Sequence, residues 1–195
     1  PTTVPVATTA PPIAGATGIE FPPNMTEHPS HPGYFQMPDS PDGSYKFESF
    51  TCTEQRYGSK LLIGVLYTVA KRWRQLHPQG HMTFGDHNAA GHASHKWGRA
   101  VDLDASTNGT DWVSDFTAGN YNRPATIELG KLFVDTDSIL HIWYNDQEVN
   151  SAVLEYSQQT GKSQGMQMNP IPLHDNHFHV DVNLEPLLPV WEPSC

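Results

Sequence analysis

The stretch Gly91-His92-Ala93-Ser94-His95-Lys96-Trp97-Gly98-Arg99-Ala100-Val101-Asp102-Leu103-Asp104, read against His174-Asp175-Asn176-His177-Phe178-His179-Val180 further along, decides how this chain folds. Val101-Asp102-Leu103-Asp104 alternates apolar and acidic residues. That is the period of a half-buried strand, and it puts Asp102 and Asp104 on one face. By the same period His177 and His179 share a face of a second strand, while Phe178 and Val180 point the other way into a core. His95 and Asp102 are seven positions apart, a distance of roughly 23 Å in an extended strand at about 3.3 Å per residue. For both to reach one point the chain must turn between them, and Gly98 is the intervening residue best able to bend.

One face of a sheet then carries a metal-binding inventory. Zinc takes imidazole nitrogen at about 2.0–2.1 Å and carboxylate oxygen at about 2.0–2.2 Å, so its ligands must converge. We assign His95, Asp102 and His179 as ligands. Three protein ligands leave a fourth position for water, which separates a catalytic zinc site from a closed structural one. His177, two residues before His179 on the strand, is assigned as general base or transition-state stabiliser. His92 and His174 stand a few residues from the others and are assigned to orienting them in catalysis. His28, His31, His77, His81, His87 and His141 read as solvent or packing histidines. Trp97 and Trp143 read as core or as the wall of a substrate groove.

These residues also carry a family resemblance. Ser94-x-His95-x-x-Gly98-x-Ala100-Val101-Asp102 resembles the first zinc motif of the D-Ala-D-Ala carboxypeptidases. Gly91-His92-Ala93-Ser94-His95, taken with His174-Asp175-x-His177-Phe178-His179-Val180, is more similar to the penicillin-insensitive murein endopeptidases. Both belong to the LAS group of zinc peptidases, which includes the lysostaphin type and the metal-binding fold of hedgehog signalling domains. The resemblance covers roughly residues 45 to 185. It implies cleavage of peptide bonds in peptidoglycan stem peptides or cross-links, with zinc on His95, Asp102 and His179 and with His177 as the catalytic histidine. Lys96, Trp97, Arg99 and Ala100 depart from the endopeptidase pattern and make the first motif a hybrid. A carboxypeptidase of the same group, or a non-catalytic zinc-holding binding or signalling module, is therefore the alternative.

Other chemistries lack parts. His95 stands where a serine-hydrolase elbow needs its second glycine. The chain has no H-E-x-x-H helix, P-loop or G-x-G-x-x-G. Two cysteines, Cys52 and Cys195, cannot build a cysteine-rich zinc site, and we expect them to pair as a disulfide across the domain, which fits a secreted, periplasmic or extracellular protein. Asp104-x-Ser106-x-Asn108-Gly109, with Asp115 at the twelfth place, resembles the opening of a calcium loop, but the usual glutamate is missing and a polar turn is expected. A net charge of -10 argues against nucleic acid, whose phosphates reward basic stripes. It gives no help with an anionic wall either, so recognition of peptidoglycan peptides has to be local. No apolar run approaches the 18 residues of a membrane span.

Residues 1–42 hold ten of the seventeen prolines and many threonines and read as an extended arm or linker. Residues 43–195 then form the zinc peptidase domain. Within it Leu61, Leu62, Val65, Leu66, Val69, Trp73 and Leu76 recur at helical spacing until Pro78 and Gly80 stop them. Met82-Thr83-Phe84 reads as a strand, Ala125 to Phe133 as a helix, Ile139 to Tyr144 as a strand, and Val149 to Gln159 as a helix closed by Gly161. Helices and strands mix without strict alternation. The expected class is α+β, a small antiparallel sheet carrying the zinc site and packed by helices, LAS- or hedgehog-like.

Overall fold

The computed structural model describes residues 18–89 and 95–193. Its elements run β1 (Thr26–Glu27), β2 (Tyr34–Gln36), β3 (Tyr45–Phe47), β4 (Tyr57–Ser59), α1 (Lys60–Leu76), β5 (His81–Phe84), β6 (Ala100–Ser106), α2 (Arg123–Val134), β7 (Ile139–Trp143), α3 (Gln147–Thr160), β8 (Gln167–Asn169) and β9 (Phe178–Val182). Short 3-10 turns lie at Thr53–Arg56 and His95–Trp97. Among the described residues, three helices with two sheets make the α+β class expected from the pattern.

α1 forms where the apolar stripe predicted it. Ser59 caps it by accepting the Leu62 N–H, and Pro78, just past its last turn, cannot continue the ladder. Leu62, Val65, Leu66, Val69 and Trp73 are fully buried, each apolar side chain contributing roughly 1.5–3 kcal/mol against exposure. The Trp73 indole N–H donates to the Ser106 carbonyl at 2.8 Å, fixing α1 to the end of β6. α2 starts at the Asn122 cap. α3 starts at the Asp146 cap and closes at Gly161, whose φ of 69° is the left-handed conformation glycine adopts without penalty.

The larger sheet has the order β3-β5-β6-β9-β7-β8. Its four central strands pair antiparallel, as expected, while the edge strands β3 and β8 pair parallel with β5 and β7. Val101, Leu103 and Ala105 of β6 and Phe178, Val180 and Val182 of β9 are buried in the core. Asp102 and His179 consequently face the other side.

β1, β2 and β4 form a second, antiparallel sheet. The chain from Gly18 lies along the domain: the Glu20 N–H donates to Thr68 Oγ1 at 2.7 Å, and the single hydroxyl proton of buried Tyr34 is shared between the carbonyls of Lys96 and Pro189. His28 and His31 pack as expected of them, with His31 stacked on Trp191 at 4.3 Å between ring centres. Cys195, the expected partner of Cys52, lies outside the described residues, as do His92 and residues 1–17. No helix among the described residues is long and apolar enough to cross a membrane.

Candidate metal centre

Strand register assembles the site. Asp102 of β6 stands opposite His179 of β9, and His179 stands opposite Trp143 of β7. Gly85 completes this row beyond β5. Its N–H donates to the Asp102 carbonyl at 2.8 Å, and a Cβ there would lie 3.2 Å from that carbonyl oxygen and 3.6 Å from the Asp102 Cβ, so glycine leaves the space beside Asp102 open. His95 arrives from outside the sheet, on the 3-10 turn His95–Trp97. Gly98 ends that turn with a φ of 62°, and a Cβ on it would come within 2.6 Å of the Tyr34 ring. The bend expected at Gly98 is therefore present, and the Ser59 N–H pins its carbonyl at 2.6 Å.

The three assigned ligands meet. His179 Nδ1 lies 2.7 Å from Asp102 Oδ1, His95 Nε2 lies 3.2 Å from His179 Nδ1, and His95 Nε2 lies 3.5 Å from Asp102 Oδ1. A tetrahedral ion with bonds of about 2.1 Å spaces its donors roughly 3.4 Å apart. The donor set thus fits a metal ion, with only the His179–Asp102 separation needing to open. His95 and His179 are buried and Asp102 is half-buried.

Electrostatics favours the charged forms of Asp102 and His179. Burial alone would raise the Asp102 carboxyl, but hydrogen bonds from His179 and His95 and the fields of both rings outweigh it, holding the group far below the usual carboxylate range. Burial would lower His179, but its contacts with Asp102 and Asp181 prevail and push it up to about 9.

His177 joins from the loop before β9, its Nε2 3.8 Å from Asp102 Oδ1, on the same face as His179. Its Nδ1 sits 2.8 Å from the Asn176 side-chain oxygen. Burial lowers its pKa, opposed by Asp102 and assisted by the neighbouring histidines. His174 lies beside it, with rings 4.9 Å apart, and its Nδ1 contacts the carbonyls of Ile171 and Pro172.

Two participants were not read from the sequence. Asp181 is fully buried, with Oδ1 3.7 Å from His179 Nε2 and Oδ2 3.2 Å from His141 Nδ1. Burial would raise it, but His179, Arg99 and His141 hold it low. His141, taken as a solvent or packing histidine, therefore belongs to the support of the site. The signal was available: Asp181 is two residues past His179, and His141 two before Trp143, so strand period puts each pair on one face. Trp143 itself stacks on the His179 ring at 4.3 Å and 12°, fixing the ring's plane.

Asp104 shares the face of Asp102 yet stays out of the cluster, because its carboxylate accepts from Ser114 Oγ and from the Ser114 and Ala105 N–H groups. Burial raises it to about 6, against those hydrogen bonds. Asn108 and Asp111 fold the following segment into the expected polar turn, Asp111 accepting from Ser106, Thr107 and Asn108. A groove of about 380 Å³ opens at Asp102 and His177 and runs past Thr83, Glu48, Phe50 and Trp112.

No protein-family model matches this chain, and no curated protein does.

Proposed function

We propose that this protein is a zinc-dependent peptidase that hydrolyses peptide bonds in peptidoglycan stem peptides or cross-links, a murein endopeptidase of the LAS group acting in the periplasm or outside the cell. One observation carries the reading: three donors of the kinds zinc prefers converge within 4.8 Å of one another, with a further imidazole, His177, 3.8 Å from the shared carboxylate. The resemblance of the two histidine motifs to the murein endopeptidases supports the substrate class.

A zinc ion on His95, Asp102 and His179 would supply Lewis acidity, polarising a scissile carbonyl and bringing a water's pKa toward about 7. The rest falls to the chain's own groups. The groove lays the peptide beside Asp102 and His177, with Phe50 and Trp112 as its apolar walls. With Nδ1–H donated to Asn176, His177 keeps an Nε2 lone pair and accepts the proton of the attacking water, then returns it to the leaving amine. Asp181 and Trp143 hold the His179 ring in position throughout.

Mass spectrometry of purified cross-linked muropeptides, incubated with and without chelator, tests this directly. The expected result is chelator-sensitive cleavage of a cross-link or stem bond. His95→Ala and Asp102→Ala should lose metal and activity together. His177→Ala should keep its zinc and lose turnover by about 10²–10⁴-fold. Parent-like turnover in the His177 variant would remove it from the chemistry. Release of terminal D-alanine alone would instead favour the carboxypeptidase that the Ser94–Asp102 motif resembles. Tight zinc with no cleavage at all would favour the non-catalytic module.

A further inference from the structure

A second group of metal-type donors adjoins the first and shares one residue with it. One donor atom from each of Asp102, His174 and His177 lies within 4.8 Å of the other two. That spacing leaves room to close onto an ion that needs its donors roughly 3.4 Å apart.

The tautomers are set for it. The carbonyls of Ile171 and Pro172, at 3.3 and 3.2 Å from His174 Nδ1, can only accept, so that nitrogen carries the proton. The Asn176 side-chain oxygen, 2.8 Å from His177 Nδ1, acts in the same way. The neutral tautomer of each ring then has its lone pair on Nε2, and the His177 Nε2 lies 3.8 Å from Asp102 Oδ1. Histidines whose distal N–H is held by an oxygen acceptor are the usual form of metal ligands. The loop that carries them is itself braced, since the Asn145 N–H donates to the His174 carbonyl and the Asn145 side chain donates to Asp175.

We propose that Asp102, His174 and His177 form a second, weaker divalent-cation site, joined to the first through the Asp102 carboxylate, whose filling takes the lone pair of His177. Two imidazoles with one carboxylate suit zinc, nickel or copper rather than magnesium or calcium. The site is the weaker of the two because it lies nearer the open rim, with the His177 side chain 28% exposed, where the first site has His95 at 0% and His179 at 4%. The consequence rests on the peptidase reading above: excess zinc would silence the base and inhibit the enzyme. The occupancy itself does not rest on that reading.

Calorimetric titration of the chelator-stripped full chain with zinc chloride, paired with metal analysis after equilibrium dialysis, is the test. The parent should bind two equivalents, the second at least about tenfold more weakly. His174→Ala and His177→Ala should each bind one, at the affinity of the parent's first, and that retained equivalent also reports that the variant is folded. Asp102→Ala should lose both. A single equivalent in the parent up to millimolar zinc, or a second equivalent surviving in both histidine variants, overturns the second site and leaves the first intact. No tight equivalent in the parent overturns the catalytic centre instead. Muropeptide hydrolysis by the parent should fall as zinc rises from one equivalent to several, and a constant rate with the second equivalent bound would overturn the inhibitory role.

Discussion

Asp181 reaches the candidate site through His179. Its carboxylate faces the ring nitrogen on the far side from Asp102 and is itself held by His141 and Arg99. Carboxylates placed behind a ligating histidine fix its orientation and raise its basicity, and losing one typically costs 10–100-fold in metal affinity. Asp181→Asn should therefore weaken zinc binding by about that factor in a competition titration, and unchanged affinity would make the contact merely structural. The pair His179–Asp102 also sets a pH dependence. In the metal-free protein His179 is raised to about 9, so zinc must displace its proton at neutral pH. Affinity should climb about tenfold per pH unit from about 6.5, level off near 9, and release about one proton per ion, as calorimetry in buffers of different ionisation enthalpy would read. For the metal-free fold, the His179 contribution is fully present below its unfolded value of about 6.5 and lost as pH rises through about 9. The Asp102 contribution is present above about 3.9 and lost on acidification. A proton count of zero, or affinity flat across this range, would contradict a charged His179.

At the level of elements, what was legible in the sequence followed from period and length. α1 and α3 have apolar stripes or caps long enough to read, and β6 and β9 alternate cleanly, so the placing of Asp102 and His179 on one face was visible. β1, β2, β3, β4 and β8 are two or three residues each, too short for any period, and exist through their pairing partners, which for all but β1 include a strand distant in the chain. His141 and Asp181 were missed for a related reason: His141 had a plausible local reading as a packing histidine, Asp181 drew none, and the register of β9 against β7 is what sets them side by side. The packing of α2 on α3 is similarly invisible locally. It depends on Gly130, where an added Cβ would lie 2.5 Å from Val153 Cγ2 in a buried contact. Gly130→Ala should thus destabilise the fold by about 1–3 kcal/mol through overpacking, despite the better helix propensity of alanine. A denaturant midpoint equal to or above the parent's would show that the two helices separate without cost.

For the whole molecule, the candidate metal centre joins segments that the sheet alone does not. Asp102 and His179 sit on adjacent strands already hydrogen-bonded to each other, whereas His95 comes from a turn held by Tyr34, Ser59 and Trp191 through backbone contacts at Lys96 and Gly98. An ion on all three residues would tie the small sheet and the C-terminal segment to the centre of the large one. Because the unfolded chain brings no such donors together, binding appears as folding free energy. Zinc at a hundredfold over its dissociation constant adds about 2.7 kcal/mol. In a chain of this size each kcal/mol moves the melting temperature by about 2–4 °C, so removing zinc with chelator should lower Tm by about 5–10 °C. His177→Ala should retain that shift, since His177 lies outside the three ligands, whereas Asp102→Ala should abolish it. A parent indifferent to chelator, or an Asp102 variant still stabilised by zinc, would mean that the three side chains meet for packing and charge pairing alone.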